Sequence, residues 1–284
     1  IRSRVQMMNS AEKLILLNII CFIFPLFLKT LFFLFVIPYG TFISFFELSS
    51  DWGTLLFRPW SILTYSFIHS GFFHLFWNMY LLYFSSRLFF NLFSANFFLN
   101  IYFLGVVVGA ITFLLSYALF PAFQNAAPSM IGASAGVMGI FVFISTYSPD
   151  QEVRIIFFNI KLRYLAIGFV LIDVIQIPYG NAGGHLAHLG GAGLGFLYAQ
   201  RLQNGIDIGL PFERFIIKTI DLFKKKPTLR KVHKKKATKK IKSTTTSDTL
   251  HQKQIDTILD KISTSGYESL SQKEKDFLFK VGKN

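Results

Sequence analysis

The chain has 284 residues, 52% of them hydrophobic and 17% aromatic, with 35 phenylalanines and only 15% charged residues. That excludes an ordinary soluble domain, in which about a quarter of the residues carry charge, and the single cysteine, Cys21, excludes an internal disulfide. The net charge of +14 sits mostly in a tail: residues 1–212 hold 10 Lys/Arg against 7 Asp/Glu, a net of +3, and residues 213–284 hold 19 against 8, a net of +11.

Apolar length and helix breakers predict membrane spans over 13–37, 72–92, 96–118, 132–148, 155–174 and 183–202. Runs near ~20 residues match the hydrocarbon thickness. They are expected to be helical, because the bilayer offers no water to backbone N–H and C=O groups. The first run lacks a small-residue cleavage site near its end and reads as a retained span rather than a signal peptide. Cys21 within it reads as a buried small hydrophobe. The connection 38–71 is long and holds Pro38, Trp52, Pro59 and Trp60, which suits the membrane interface. From Leu88 to Pro149 there are 62 residues without Asp, Glu, Lys or Arg.

Six spans put both termini on one side. Loops on that side carry Arg2, Arg4, Lys13, Arg87, Arg154, Lys161, Arg163 and Arg201, followed by the basic tail. The opposite loops carry Arg58, with Glu47, Asp51 and Asp173 near. The positive-inside rule then predicts cytoplasmic termini. The expected organisation is a membrane domain over 1–212, a basic linker over 213–249 and a small helical extension over 250–284. Residues 224–242 contain 11 Lys/Arg and are expected to lie on anionic lipid rather than on nucleic acid. In the extension, Ile255, Ile258, Leu259 and Ile262 recur at helical spacing, Gly266 reads as a stop, and Ser271 with Glu274 forms a capping-box pattern before Phe277.

Chemistry concentrates in three stretches: "HSGFFHLFWN" with His69, His74 and Asn78, "GASAG" with Ser134, and "GGHLAHLGGAGLG" with His185 and His188. Polar side chains inside a bilayer are costly, which makes them functional candidates. His74 and Asn78 are four apart, and His185 and His188 three apart, so each pair shares one helical face. Ser134 begins a span of 17 residues, which reaches only ~25 Å, so the serine would lie below the membrane surface at a helix N-terminus. A serine nucleophile needs a base within hydrogen-bond reach. It also needs donors where negative charge develops. A histidine on another helix, the helix N-terminus and the His74/Asn78 face supply these types, with no acidic third member required. A packing reading competes. Gly132, Ser134, Gly136 and Gly139 form a close-contact surface, and Gly191-x-x-x-Gly195 is a packing motif. The G-x-S-x-G of soluble hydrolases needs a preceding strand, which the bilayer is expected to exclude. Four histidines raise a metal site, but H-E-x-x-H is absent and Asp173 is the one acid nearby. No metal or other cofactor is expected.

Taken together and in this order, "HSGFFHLFWN", "GASAGVMG" and "AHLGGAGLG" resemble the rhomboid family of intramembrane serine proteases across most of residues 55–202. The resemblance implies an all-α membrane protein, a six-helix bundle with a small cytoplasmic helical extension, in a bacterial inner membrane with both termini cytoplasmic. It implies that Ser134 is the nucleophile and His188 the general base, because "AHLGGAGLG" aligns with the family's Ala-His-x-x-Gly-x-x-x-Gly. His74, Asn78 and the backbone N–H of Ser134 would form the oxyanion hole. Gly191 and Gly195 would let the base helix approach the nucleophile helix, and Gly132 and His185 would lie near the site. Two positions depart from the family pattern. Trp60 matches the tryptophan of a Trp-Arg pair, but Ser61 stands at the arginine and Arg58 lies two residues earlier. Met138 stands where an aromatic residue often packs on the base. The implied partners are transmembrane substrates, without nucleic acid. Two alternatives stay open: a catalytically silent relative that binds client helices, and a proton-relaying transporter, for which the halves show no repeat.

Overall fold

A computed structural model describes residues 7–155, 157–223 and 246–281. It divides the chain into two compact units, Ile1–Lys225 and Lys226–Asn284.

Helix α1, Ser10–Leu34, opens on a reciprocal cap: Asn9 Oδ1 accepts from Glu12 N–H, and Glu12 Oε2 from Asn9 N–H, both at 2.9 Å. It buries only Ala11, Leu14 and Asn18, while Ile20, Ile23, Phe24 and Phe27 are exposed on the protein surface. An apolar exposed face of this kind fits lipid. The long connection that follows is structured: α2 Tyr39–Ile43, β1 Leu48–Ser49, α3 Trp52–Phe57 capped by Asp51, and α4 Ser61–Thr64. The Thr54 hydroxyl and N–H donate to the Asp51 carboxylate and hold its pKa below the ordinary value.

Helices α5 Phe72–Phe89 and α6 Ala95–Leu119 come next, then β2 Ser129–Met130 and α7 Ser134–Tyr147. Strands β1 and β2 pair antiparallel, Leu48 opposite Met130. A strand therefore does precede the serine, against the sequence expectation. Its backbone is paired within the protein, the circumstance in which non-helical chain is tolerated at membrane depth. A hairpin follows, β3 Glu152–Ile155 with β4 Phe158–Lys161, and then α8 Leu162–Gln176. The span expected over 155–174 is thus displaced. Apolar length alone does not distinguish a hairpin ladder from a helical turn, and Lys161 and Arg163 both pair with Asp150 at the hairpin's base. Their hydrogen bonds, Lys161 foremost, hold the Asp150 pKa below its ordinary value.

Helix α9, Ala182–Gln203, completes the bundle. Among the described residues, three helical segments, Ser10–Leu34, Ala95–Leu119 and Leu162–Tyr179, are long and apolar enough by composition to cross a membrane. Helix α7 has 14 residues, ~21 Å of rise, and α9 is diluted by glycines and two histidines. Both are central: α7 packs on α6 and α9, and its Phe141, Phe143 and Ile144 are fully buried. A further amphipathic helix, α10 Leu210–Phe223, runs across the position where the sequence places the start of the basic linker. Charged Glu213, Arg214 and Lys218 alternate there with Phe215, Ile216 and Ile217, enough apolar periodicity for a helix despite the charge. The 224–242 basic run lies outside the described residues.

In the second unit, α11 Thr246–Ser265 and α12 Gln272–Val281 form two helices separated at Gly266, whose φ is +77°. Ser271 N–H and Oγ donate to Glu274 Oε2 at 2.7 and 2.8 Å, and Lys261 Nζ lies 3.0 Å from the same carboxylate.

Candidate active site

Ser134 is the first residue of α7. Ala133 precedes it as the cap and has no side chain able to accept a hydrogen bond. The first-turn N–H groups lack intrahelical acceptors, so the positive end of the helix dipole is open beside the serine. Gly132 turns the chain into this helix with φ +119°, a conformation that favours glycine. Its N–H donates to the Tyr65 carbonyl at 2.9 Å, and the Tyr65 hydroxyl donates to the Val106 carbonyl at 2.8 Å, which pins the turn to the core.

A cavity of about 510 Å³ opens in front of Ser134 and is lined by His74, Asn78, Gly132, Asp173 and His188. His74 Nδ1 faces Ser70 Oγ at 3.1 Å, so Nε2 is the nitrogen turned towards the serine loop. A Cβ placed on Gly132 would lie 2.7 Å from His74 Nε2 and 3.6 Å from Ser134 Oγ. The missing side chain therefore leaves a small space bounded by an imidazole nitrogen and the serine hydroxyl. Asn78 Nδ2 donates to the His74 carbonyl at 2.8 Å, and an amide carries a second N–H for a ligand. Asn78 is on the buried face of this helix, 7% exposed.

His188 and His185 come from α9, Ala135 from α7. A Cβ on Gly191 would overlap the Ala135 carbonyl oxygen, and one on Gly195 the Gly139 carbonyl oxygen, so α9 and α7 touch backbone to backbone. Met138 is buried and lines the cavity. Among the described residues no hydrogen bond links Ser134 Oγ to His188. The Nδ1 atoms of His185 and His188 each lie 2.8 Å from Asp173 Oδ1. The three side chains place one oxygen and two nitrogens within 4.8 Å of one another, a set of donor types that could also hold a divalent cation. Asp173, noted in the sequence as the one acid near the histidines but given no role there, lies in α8 and is 6% exposed. The signal was available: apart from Glu12 at the start of α1, it is the one acidic residue in the six main helices of the bundle.

Trp60 is not part of the cavity. Its Nε1–H donates to the Phe45 carbonyl at 2.7 Å, and Arg58 Nη1 donates to the Ser44 carbonyl at 3.1 Å while its guanidinium lies 4.1 Å from the Phe45 ring centroid. Arg58 and Trp60 thus grip the same short segment of the connection, with Ser61 taking no part in that grip. His69 packs edge-on against His74, ring centroids 5.0 Å apart.

The helices and this cavity define a helical integral membrane protein with serine and histidine side chains gathered between its spans. A Rhomboid-domain match covers residues 57–204, just over half of the chain, and the chain belongs to the rhomboid family, which is of intramembrane-protease type. Residues 247–283 match a family of unknown function, DUF6576. Comparison with curated proteins finds no match.

Proposed function

We propose that the protein is an intramembrane serine endopeptidase acting on membrane-anchored protein substrates. The observation that carries this reading is Ser134 at the uncapped start of α7, facing a cavity that His188, His74 and Asn78 also line. In the proposed reaction Ser134 Oγ attacks the substrate carbonyl as its proton passes to His188 Nε2. The developing oxyanion is held by the Ser134 backbone N–H, His74 and Asn78, groups already in place before charge develops. His188 returns the proton to the leaving amine. Water, deprotonated by the same histidine, then releases the acyl group. A carbonyl engaged in a helix is unavailable to the serine, so substrate sites should contain residues of low helix propensity. No cofactor takes part.

The same reading places the body in an inner (plasma) membrane with both termini cytoplasmic, and the 224–242 run against anionic lipid. The missing Ser134–His188 hydrogen bond favours one competitor, a catalytically silent binder of client helices. Catalytic hydrogen bonds are often long before substrate binds. The two readings separate on a fluorophosphonate serine probe applied to the purified protein. Labelling of the wild type and none of Ser134→Ala is the expected result. An unlabelled, folded wild type would support the silent reading.

A further inference from the structure

We propose that Asp173 is a positioning residue for His188, making a Ser134–His188–Asp173 relay in which the carboxylate comes from a third helix. The proposal rests on the reading of Ser134 and His188 as nucleophile and base, and asks what sets the state of that base.

The observations are local and specific. Helix α8 buries Leu162, Ala166 and Asp173, and no other of its residues. The neighbours of Asp173 face outwards, Ile172 at 52%, Val174 at 48% and Ile175 at 62% exposure. Turning a carboxylate inwards from such a helix is costly unless it is paired. Its partners are two imidazoles. A carboxylate only accepts, so each ring presents Nδ1–H to it. For His188 this settles the tautomer: with the proton on Nδ1, Nε2 keeps its lone pair and is the atom able to take the Ser134 proton. When that proton moves, His188 becomes an imidazolium beside the Asp173 carboxylate, and the opposite charge at 2.8 Å stabilises it. Asp173 itself gains no proton. When Nε2–H passes to the leaving amine, His188 returns to its starting tautomer with the Asp173 bond intact. His185 occupies a second lone pair of the same oxygen. It holds the carboxylate in place and has no role in the proton path.

A purely structural tether between α8 and α9 would use either histidine equally. Positioning makes them unequal, and that difference is measurable. The full-length protein in detergent micelles would be inactivated with a fluorophosphonate, and the limiting inactivation rate separated from the half-saturating probe concentration. Asp173→Asn presents an amide N–H to Nδ1 and moves the His188 proton to Nε2. The limiting rate is expected to fall about 10²- to 10⁴-fold, with the half-saturating concentration unchanged. Asp173→Glu should recover at least tenfold of that loss, and His185→Ala should cost less than tenfold. Equal losses in His185→Ala and Asp173→Asn, or labelling of Asp173→Asn at the wild-type rate, would overturn the assignment while Ser134 and His188 stand. Loss of wild-type labelling on adding EDTA would overturn it in favour of a metal held by the three side chains. Wild-type labelling that persists in His188→Ala at full rate would overturn the dyad itself, and the role of Asp173 with it.

Discussion

Helix α7 buries eleven of its fourteen residues, whereas α8, beside it in the bundle, buries three of fifteen. Both are apolar, and hydropathy alone does not rank them. The difference is in what each presents to its neighbours. Glycines on α7 and α9 allow backbones to meet, so α7 is held on several sides at once. Helix α8 carries Ile172, Val174 and Ile175 outwards and meets the bundle along one narrow face, through Leu165, Ala166, Phe169, Val170 and Asp173. The proposed nucleophile, Ser134, therefore sits on the most tightly held helix, and Asp173, whose carboxylate reaches His188, sits on one of the most loosely held.

Substitutions can break this contrast. The largest expected effect is at the α7–α9 contact. Gly191→Val drives a branched side chain into the Ala135 carbonyl, and overpacking without room to relax should cost about 3 kcal/mol or more. Thermal unfolding in detergent would reveal it, and an unchanged midpoint would mean that the backbones do not touch. Next come His74→Ala and Asn78→Ala, each expected to slow turnover about 10²- to 10³-fold with folding unchanged. If both retain the wild-type rate of cleavage of a membrane-anchored reporter, they are not oxyanion donors.

A matched pair sharpens the comparison further. A Cβ on Gly136 of α7 would lie 2.9 Å from the Tyr102 ring, while one on Gly168 of α8 meets nothing within 4 Å. Gly136→Ala should destabilise, whereas Gly168→Ala should stabilise by up to about 1 kcal/mol. Melting shifts of the same sign in both would remove the distinction between the two helices.

The smallest effect lies in the second unit. Hydrogen bonds from Ser271, backbone first and hydroxyl second, followed by Lys261, lower the Glu274 carboxyl from 4.5 to about 2. A depressed folded pKa adds stability that is present above the unfolded value and is lost as pH falls through the folded one. The α11–α12 helices should therefore weaken between about pH 4.5 and 2. Glu274→Gln should flatten that pH response in helical circular dichroism while the membrane unit's signal stays unchanged.

Much of the candidate site was legible in the sequence. His74 and Asn78 share a face by spacing alone, and Ser134 and His188 sit in small-residue stretches where a polar side chain stands out against apolar sequence. The extension's Ser271 and Glu274 could be paired from their three-residue separation. Other features were not legible. The largely apolar residues 155–160 were counted into the fifth span, expected over 155–174, because hydropathy counts residues and not hydrogen-bond partners. Helix α10 was hidden in what its charge made look like a linker.

Composition and periodicity were enough to settle the class of protein, because burial in lipid constrains every residue of a span and leaves a signal at each position. The order of the three polar stretches was enough to settle the family. Only the tertiary structure decided that Asp173 and the two α9 histidines meet at one oxygen, that Arg58 and Trp60 grip the same segment, and that β2 enters the serine turn as a strand. Such contacts join residues from separate elements, and each depends on a few particular side chains or carbonyls, so no local pattern repeats to announce them.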